Sequence, residues 1–188
     1  MSDAGPLVQA ARFSSGSTSV ARGTLDSFVQ GALVDLFAAY SVALAPMPWS
    51  SAAHGPPSDV SVNAVFTHGG SSAPCRLVLS LPQALLDHMK PGEATAVKMD
   101  WARELTGQFL GRIKNRLLAF GVRLELGALS VLERPMVEHH RTSATGKRLY
   151  AGRTLRGLVL ATVQGLPDDS ALSYTGAPSG TEGTLIWL

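Results

Sequence analysis

A carboxylate, a carboxamide and two glycines recur at helical spacing within DWARELTGQFLGRIKNRLLAFG, residues 100–121. With Glu104 as zero and a turn of about 100° per residue, Asp100, Glu104, Gly107, Gln108, Gly111 and Asn115 fall within about 60° of zero. A carboxylate beside a carboxamide can engage a partner's cation and hold a water by hydrogen bonds. Each glycine costs roughly 1 kcal/mol against alanine in a helix interior. Two such costs on one face imply a gain elsewhere, and the usual one is the close approach of another backbone or of a partner protein. The face therefore offers a carboxylate, an amide and a shallow notch between them.

The opposite side of the same helix carries Ala102, Leu105, Phe109, Leu110, Ile113, Leu117 and Phe120, a broad apolar stripe that must be core. Together, Asp100, Glu104, Leu105, Thr106, Gly111, Lys114, Leu117 and Gly121 resemble the helix motif of the CheX-like branch of the CheC/CheX/FliY phosphatases of chemotaxis signalling. That motif runs acid, then Glu, Asn and Gly, then a basic residue and an apolar run closed by Gly. Here the motif Asn is replaced by Gly107, with Gln108 directly after it. The resemblance extends more loosely over residues 25–132 and 156–163 through the order of helices and strands.

The resemblance implies an α+β, CheC-like fold and a phosphorylated response-regulator receiver domain of CheY type as partner. Such a receiver carries an acyl phosphate on an Asp and its own Mg2+, so no cofactor or metal is expected in this chain. Hydrolysis needs a water held in line, and the helper protein supplies positioning more than chemistry. On this pattern Asp100, Glu104, Gly107 and Gly111 form the partner-binding face, with Glu104 the docking carboxylate that engages a receiver lysine. Gln108, about 40° from Glu104 on the wheel, is the candidate for the missing water-holding amide, its longer side chain reaching over Gly107. Two readings follow: a phosphatase using Glu104 and Gln108, or a catalytically degenerate module that docks without accelerating hydrolysis. Burial of Glu104 against the chain's own Arg or Lys would sink both.

The composition bounds the remaining possibilities. At 188 residues, with 45% apolar and 16% charged residues, the chain suits one globular domain over residues 23–188, after a Ser- and Gly-rich lead-in over residues 1–22. No apolar run reaches bilayer length and no signal-peptide pattern opens the chain, so a cytoplasmic protein without a membrane partner is expected. A net charge of +2 with dispersed basic residues does not make a nucleic-acid footprint. Cys75 stands alone, which excludes an intramolecular disulfide, and in an alternating apolar run it reads as a small core residue. Glu138, His139 and His140 are adjacent, so their side chains diverge and no metal site is expected.

The positioning elements follow from periodicity. Thr24 or Asp26 opens a helix carrying Val29, Leu33, Leu36, Phe37 and Tyr40, which Pro46 and Pro48 should end. Residues 60–66 and 75–81 alternate as a hairpin, and Pro82 opens a short helix. After Gly121, residues 122–126 and 158–163 read as strands, with edge strands at Tyr150 and residues 184–188. Strands in succession between helices favour an antiparallel sheet packed against long helices. No internal repeat is evident. CheX relatives dimerise through their sheets, so the resemblance also implies a homodimer using the C-terminal strands.

Overall fold

Two helices close in the same way, and that shared closure organises the molecule. In the computed structural model, which describes residues 24–48, 59–69, 73–132 and 146–175, the first helix α1 spans Thr24–Ala38. Ser41 follows it with φ 58°, Ser41 N–H bonds the Ala38 carbonyl, and Val42 N–H bonds Phe37. The long helix ends identically eighty positions later: Gly121 has φ 71°, Gly121 N–H bonds Leu118, and Val122 N–H bonds Leu117. A left-handed residue turns the chain, and two orphaned carbonyls of the last turn gain donors. Glycine carries that geometry without strain, whereas Ser41 adopts it at a steric cost.

After α1 come strands β1 (Ala45–Met47), β2 (Val60–His68) and β3 (Cys75–Leu81), then a short helix α2 (Gln83–Met89) and the long helix α3 (Thr95–Leu118). Strands β4 (Leu124–Leu132), β5 (Lys147–Thr154) and β6 (Gly157–Gln164) follow, with a 3-10 turn at Asp169–Ala171. The six strands form one antiparallel sheet in the order β1-β5-β6-β3-β2-β4. That order is a palindrome of two helix-strand-hairpin units, α1-β1-β2-β3 and α3-β4-β5-β6. In each unit the strand after the helix crosses to the other unit's hairpin, β1 onto β5 and β4 onto β2, while β3 and β6 meet at the centre. The repeat is plain in topology and only faint in residue identity, which is why the sequence does not display it at first reading.

Binary pattern explains the core. Val62, Ala64 and Phe66 pair with Leu79, Leu77 and Cys75, and all six are buried on the face that α3 covers. From α1, Leu25, Val29, Leu33, Leu36 and Phe37 are buried; from α3, so are Ala102, Leu105, Phe109, Leu110, Ile113 and Leu117. At about 25 cal/mol per Å2 of apolar surface removed from water, this stripe is what keeps α3 on the sheet. Cys75 is a core residue whose thiol donates to the Gly165 carbonyl at 3.1 Å, and burial raises its pKa.

The structure corrects four local expectations. The first helix stops at Ala38, before Pro46 and Pro48, because Ser41 turns the chain. Residues 45–47 then form an edge strand, a position proline tolerates because its missing N–H can face away from the ladder. Tyr150 belongs to an interior strand, flanked by β1 and β6, and is not at an edge. Phe120 sits half-buried in the closing turn and not in the helix. The lead-in 1–22, the expected strand 184–188 and Glu138, His139 and His140 lie outside the described residues. Among the described residues, no helix is long and apolar enough to cross a membrane and no group of three metal-ligating side chains converges.

Candidate functional site

The exposed stripe of α3 lies between two flanks, the turn after α1 on one side and edge strand β4 on the other. Burial of Leu105, Phe109 and Ile113 fixes the rotation of the helix, so Asp100 and Glu104 are exposed and Gly107, Gln108 and Gly111 half-exposed. Gly107 faces β4: a Cβ added there would meet Leu129 Cδ1 at 3.8 Å, an ordinary van der Waals contact. A Cβ on Gly111 would meet nothing within 4 Å among the described residues. Neither glycine is required by the packing of the described chain.

Gln108 lies on the opposite flank. Its Nε2 donates to Glu104 Oε1 at 3.0 Å, one helical turn back, and its Oε1 accepts the Tyr40 hydroxyl at 2.8 Å. The amide is held on the α1 side of the stripe, away from the flank that Gly107 shares with β4. Glu104 has no Arg or Lys partner among the described residues, and its second oxygen has no hydrogen bond among them. Asp100 pairs with Arg103, three residues on and exposed, where such a pair contributes little to stability. Thr106 is buried and returns its hydroxyl to the Ala102 carbonyl at 2.8 Å, a bond internal to the helix.

Behind this pair stands a wall that the sequence did not disclose. Tyr40 meets Trp101 edge-on, with ring centroids 5.0 Å apart at 84°, and Lys90 Nζ lies 4.4 Å from the Trp101 ring centroid. Periodicity assigned Tyr40 to the core, and its ring is indeed half-buried. The hydroxyl's partner is 68 residues away, and no local pattern announces such a contact.

A second polar cluster lies where α1 meets β5. Asp26 Oδ1 accepts the Tyr150 hydroxyl at 2.8 Å and Arg148 Nη1 at 2.9 Å, beside a cavity of about 290 Å3 lined also by Gln30, Met47, Lys147 and Leu149. Burial, reinforced by the bond to Asp26, pushes the Tyr150 phenol well above the ordinary tyrosine range. This carboxylate is committed to the fold. Glu104, by contrast, is open on one side.

No protein-family model and no curated protein matches the chain by sequence. Solved structures match it in fold. Chemotaxis protein CheX from Vibrio vulnificus aligns with a TM-score of 0.59 at 16% identity, over 78% of this chain and 99% of that one. A CheC-like superfamily protein from Shewanella sp. PV-4 gives 0.58 at 15% identity, over 74% and 96%. Chemotaxis protein CheX from Desulfovibrio desulfuricans gives 0.56 at 10% identity, over 74% and 97%. The chain has the CheC-like α+β fold.

Proposed function

We propose that this chain is a receiver-binding protein of CheX type, which docks the exposed stripe of α3 on a phosphorylated, CheY-type response-regulator domain in chemotaxis or two-component signalling. The observation that carries the reading is the pair of glycines. Gly107 and Gly111 cost helix stability, and within the described residues only an ordinary contact at Gly107 and none at Gly111 accounts for them. A notch left open beside an exposed carboxylate fits a partner's backbone. Glu104 supplies the docking charge, and Asp100 adds to the acidic rim. The receiver brings its own Mg2+, and on this reading the chain works in the cytoplasm beside it.

One observation favours a second reading, in which the docked face also speeds hydrolysis. The Gln108 carboxamide is fixed next to Glu104 and keeps one N–H and one oxygen lone pair beyond its two bonds, enough to hold a water. The water oxygen would bond to phosphorus as the acyl oxygen leaves with its electron pair, giving the receiver carboxylate and inorganic phosphate, with the proton passing to phosphate or solvent. A misplacement of about 1 Å can cost a hundredfold in such a step, so the α1-side position of the amide makes docking the primary reading.

The test is the decay of a phosphorylated receiver from the same organism, with Mg2+, alone and with the native chain, Gly107→Asn or Gln108→Ala. Faster decay that vanishes in Gln108→Ala establishes a phosphatase using the displaced amide. Acceleration only with Gly107→Asn, whose Cβ has room beside Leu129, establishes a docking module. A native chain that neither binds the receiver nor alters its decay sinks both readings.

A further inference from the structure

We propose that the Tyr40 hydroxyl is a positioning group: by holding the Gln108 carboxamide it presets Glu104 and Gln108 as one oriented pair for the receiver. This inference rests on the docking reading above, and three observations carry it.

The first is donor logic. An ionised carboxylate accepts only, so the group that Gln108 turns toward Glu104 must be its NH2, which leaves Oε1 for Tyr40 and makes the hydroxyl the donor. With the hydroxyl in place, a flipped amide would set two oxygens against each other at Glu104. Glu104 thus sets which way the amide faces, and the Tyr40 hydroxyl, able to donate or accept, takes the donor role and holds the far end of that amide in place.

The second is that the molecule contains its own control. The shared helix closures equate Tyr40 with Phe120, each one residue before the left-handed position, and the same offset of eighty equates Gln108 with Phe28. Where one end of the α1–α3 pair has a hydroxyl bonded to an amide, the other end has two rings, Phe28 and Phe120, with centroids 5.1 Å apart. Tyr174 meets Phe120 edge-on at 5.8 Å, much as Trp101 meets Tyr40 at 5.0 Å. At the Phe28 end, ring packing and the bonds of Arg116 to the Phe28 carbonyl and Asp35 join the two helices. A phenylalanine without a hydroxyl therefore fits the position equivalent to Tyr40.

The third is placement. Tyr40 and Gln108 are half-buried, Tyr40 braced by Trp101, while Glu104 is exposed. A rigid group thus anchors two flexible side chains, which reduces the entropy lost when they engage a partner.

The experiment compares the native chain with Tyr40→Phe, Gln108→Ala and the double variant. Phenylalanine at position 40 reproduces what already packs at Phe120, so the fold is expected to persist with little change in melting temperature. In the free protein, the Gln108 side-chain amide protons, assigned by their loss in Gln108→Ala, should be dispersed and protected in the native chain. In Tyr40→Phe they should move toward the values of free glutamine. Affinity for a CheY-type receiver loaded with Mg2+ and beryllofluoride should fall about three- to tenfold in Tyr40→Phe, with no further fall when Tyr40→Phe is added to Gln108→Ala. Unchanged amide signals in Tyr40→Phe overturn the positioning role alone, even if the receiver binds. So do affinity losses that simply add in the double variant. A native chain that does not bind the receiver overturns the docking reading and this inference with it.

Discussion

Gly31 and Gly111 occupy equivalent places in the two helices, eighty residues apart, and their surroundings differ. A Cβ on Gly31 would run into the Arg116 guanidinium, which that glycine admits so that Arg116 can pair with Asp35 and bond the Phe28 carbonyl. A Cβ on Gly111 would meet nothing among the described residues. The carboxylates repeat the contrast, with Asp26 tied to Tyr150 and Arg148 while one Glu104 oxygen has no hydrogen bond among the described residues. One unit uses its polar groups and its glycine to hold the fold. The stripe of α3 leaves the same kinds of group open among the described residues, and that asymmetry is the basis of the proposed docking face.

The largest effect separating the two units should come from the carboxylates. Glu104→Ala should weaken receiver binding by about 2 kcal/mol or more, roughly thirtyfold, with an unchanged melting temperature, as calorimetric titration would show. Its positional counterpart Thr24, changed to alanine, should leave binding alone. Next come the ring and amide pairs. Phe28→Ala should cost about 2 kcal/mol of stability in urea titrations, through lost ring packing against Phe120, whereas Gln108→Ala should cost about 1 kcal/mol or less. Equal losses at both would mean that the polar pair is structural.

The glycines give a smaller effect of opposite sign. Gly111→Ala should stabilise the chain by about 1 kcal/mol, a rise of a few degrees in melting temperature, while weakening docking. Gly31→Ala should destabilise by about 1 kcal/mol, because displacing Arg116 outweighs the gain in helix propensity. The smallest effect is alkaline. The Tyr150 pKa is raised in the folded state, so its contribution is whole below about pH 10 and is lost as pH climbs toward the folded value. Tyr150→Phe should flatten the fall of stability above about pH 10 relative to the native chain, as unfolding followed across that range would reveal.

Much of this architecture was legible as periodicity. The buried stripe of α3, the hairpin of residues 60–66 with 75–81 and the antiparallel α+β sheet follow from alternation and helical spacing, which are local. Pro46 hid an edge strand, because proline argues against a strand until the edge is known. The repeat was hidden because many equivalent positions differ, as Phe28 and Gln108 or Ser41 and Gly121 do, and the matches that remain, such as Leu25 with Leu105 and Gly31 with Gly111, are scattered. At the candidate site, the wheel separated Glu104 and the two glycines from the core. Tyr40 escaped notice because its hydroxyl bonds a residue 68 positions away in sequence.

The most direct test of the docking face is an NMR footprint: the isotopically labelled chain titrated with a CheY-type receiver carrying Mg2+ and beryllofluoride. The account predicts that backbone amides of residues 100–111 shift or broaden while those of residues 24–31 in α1 stay in place. A footprint on α1, or shifts shared equally by the two helices, would contradict it.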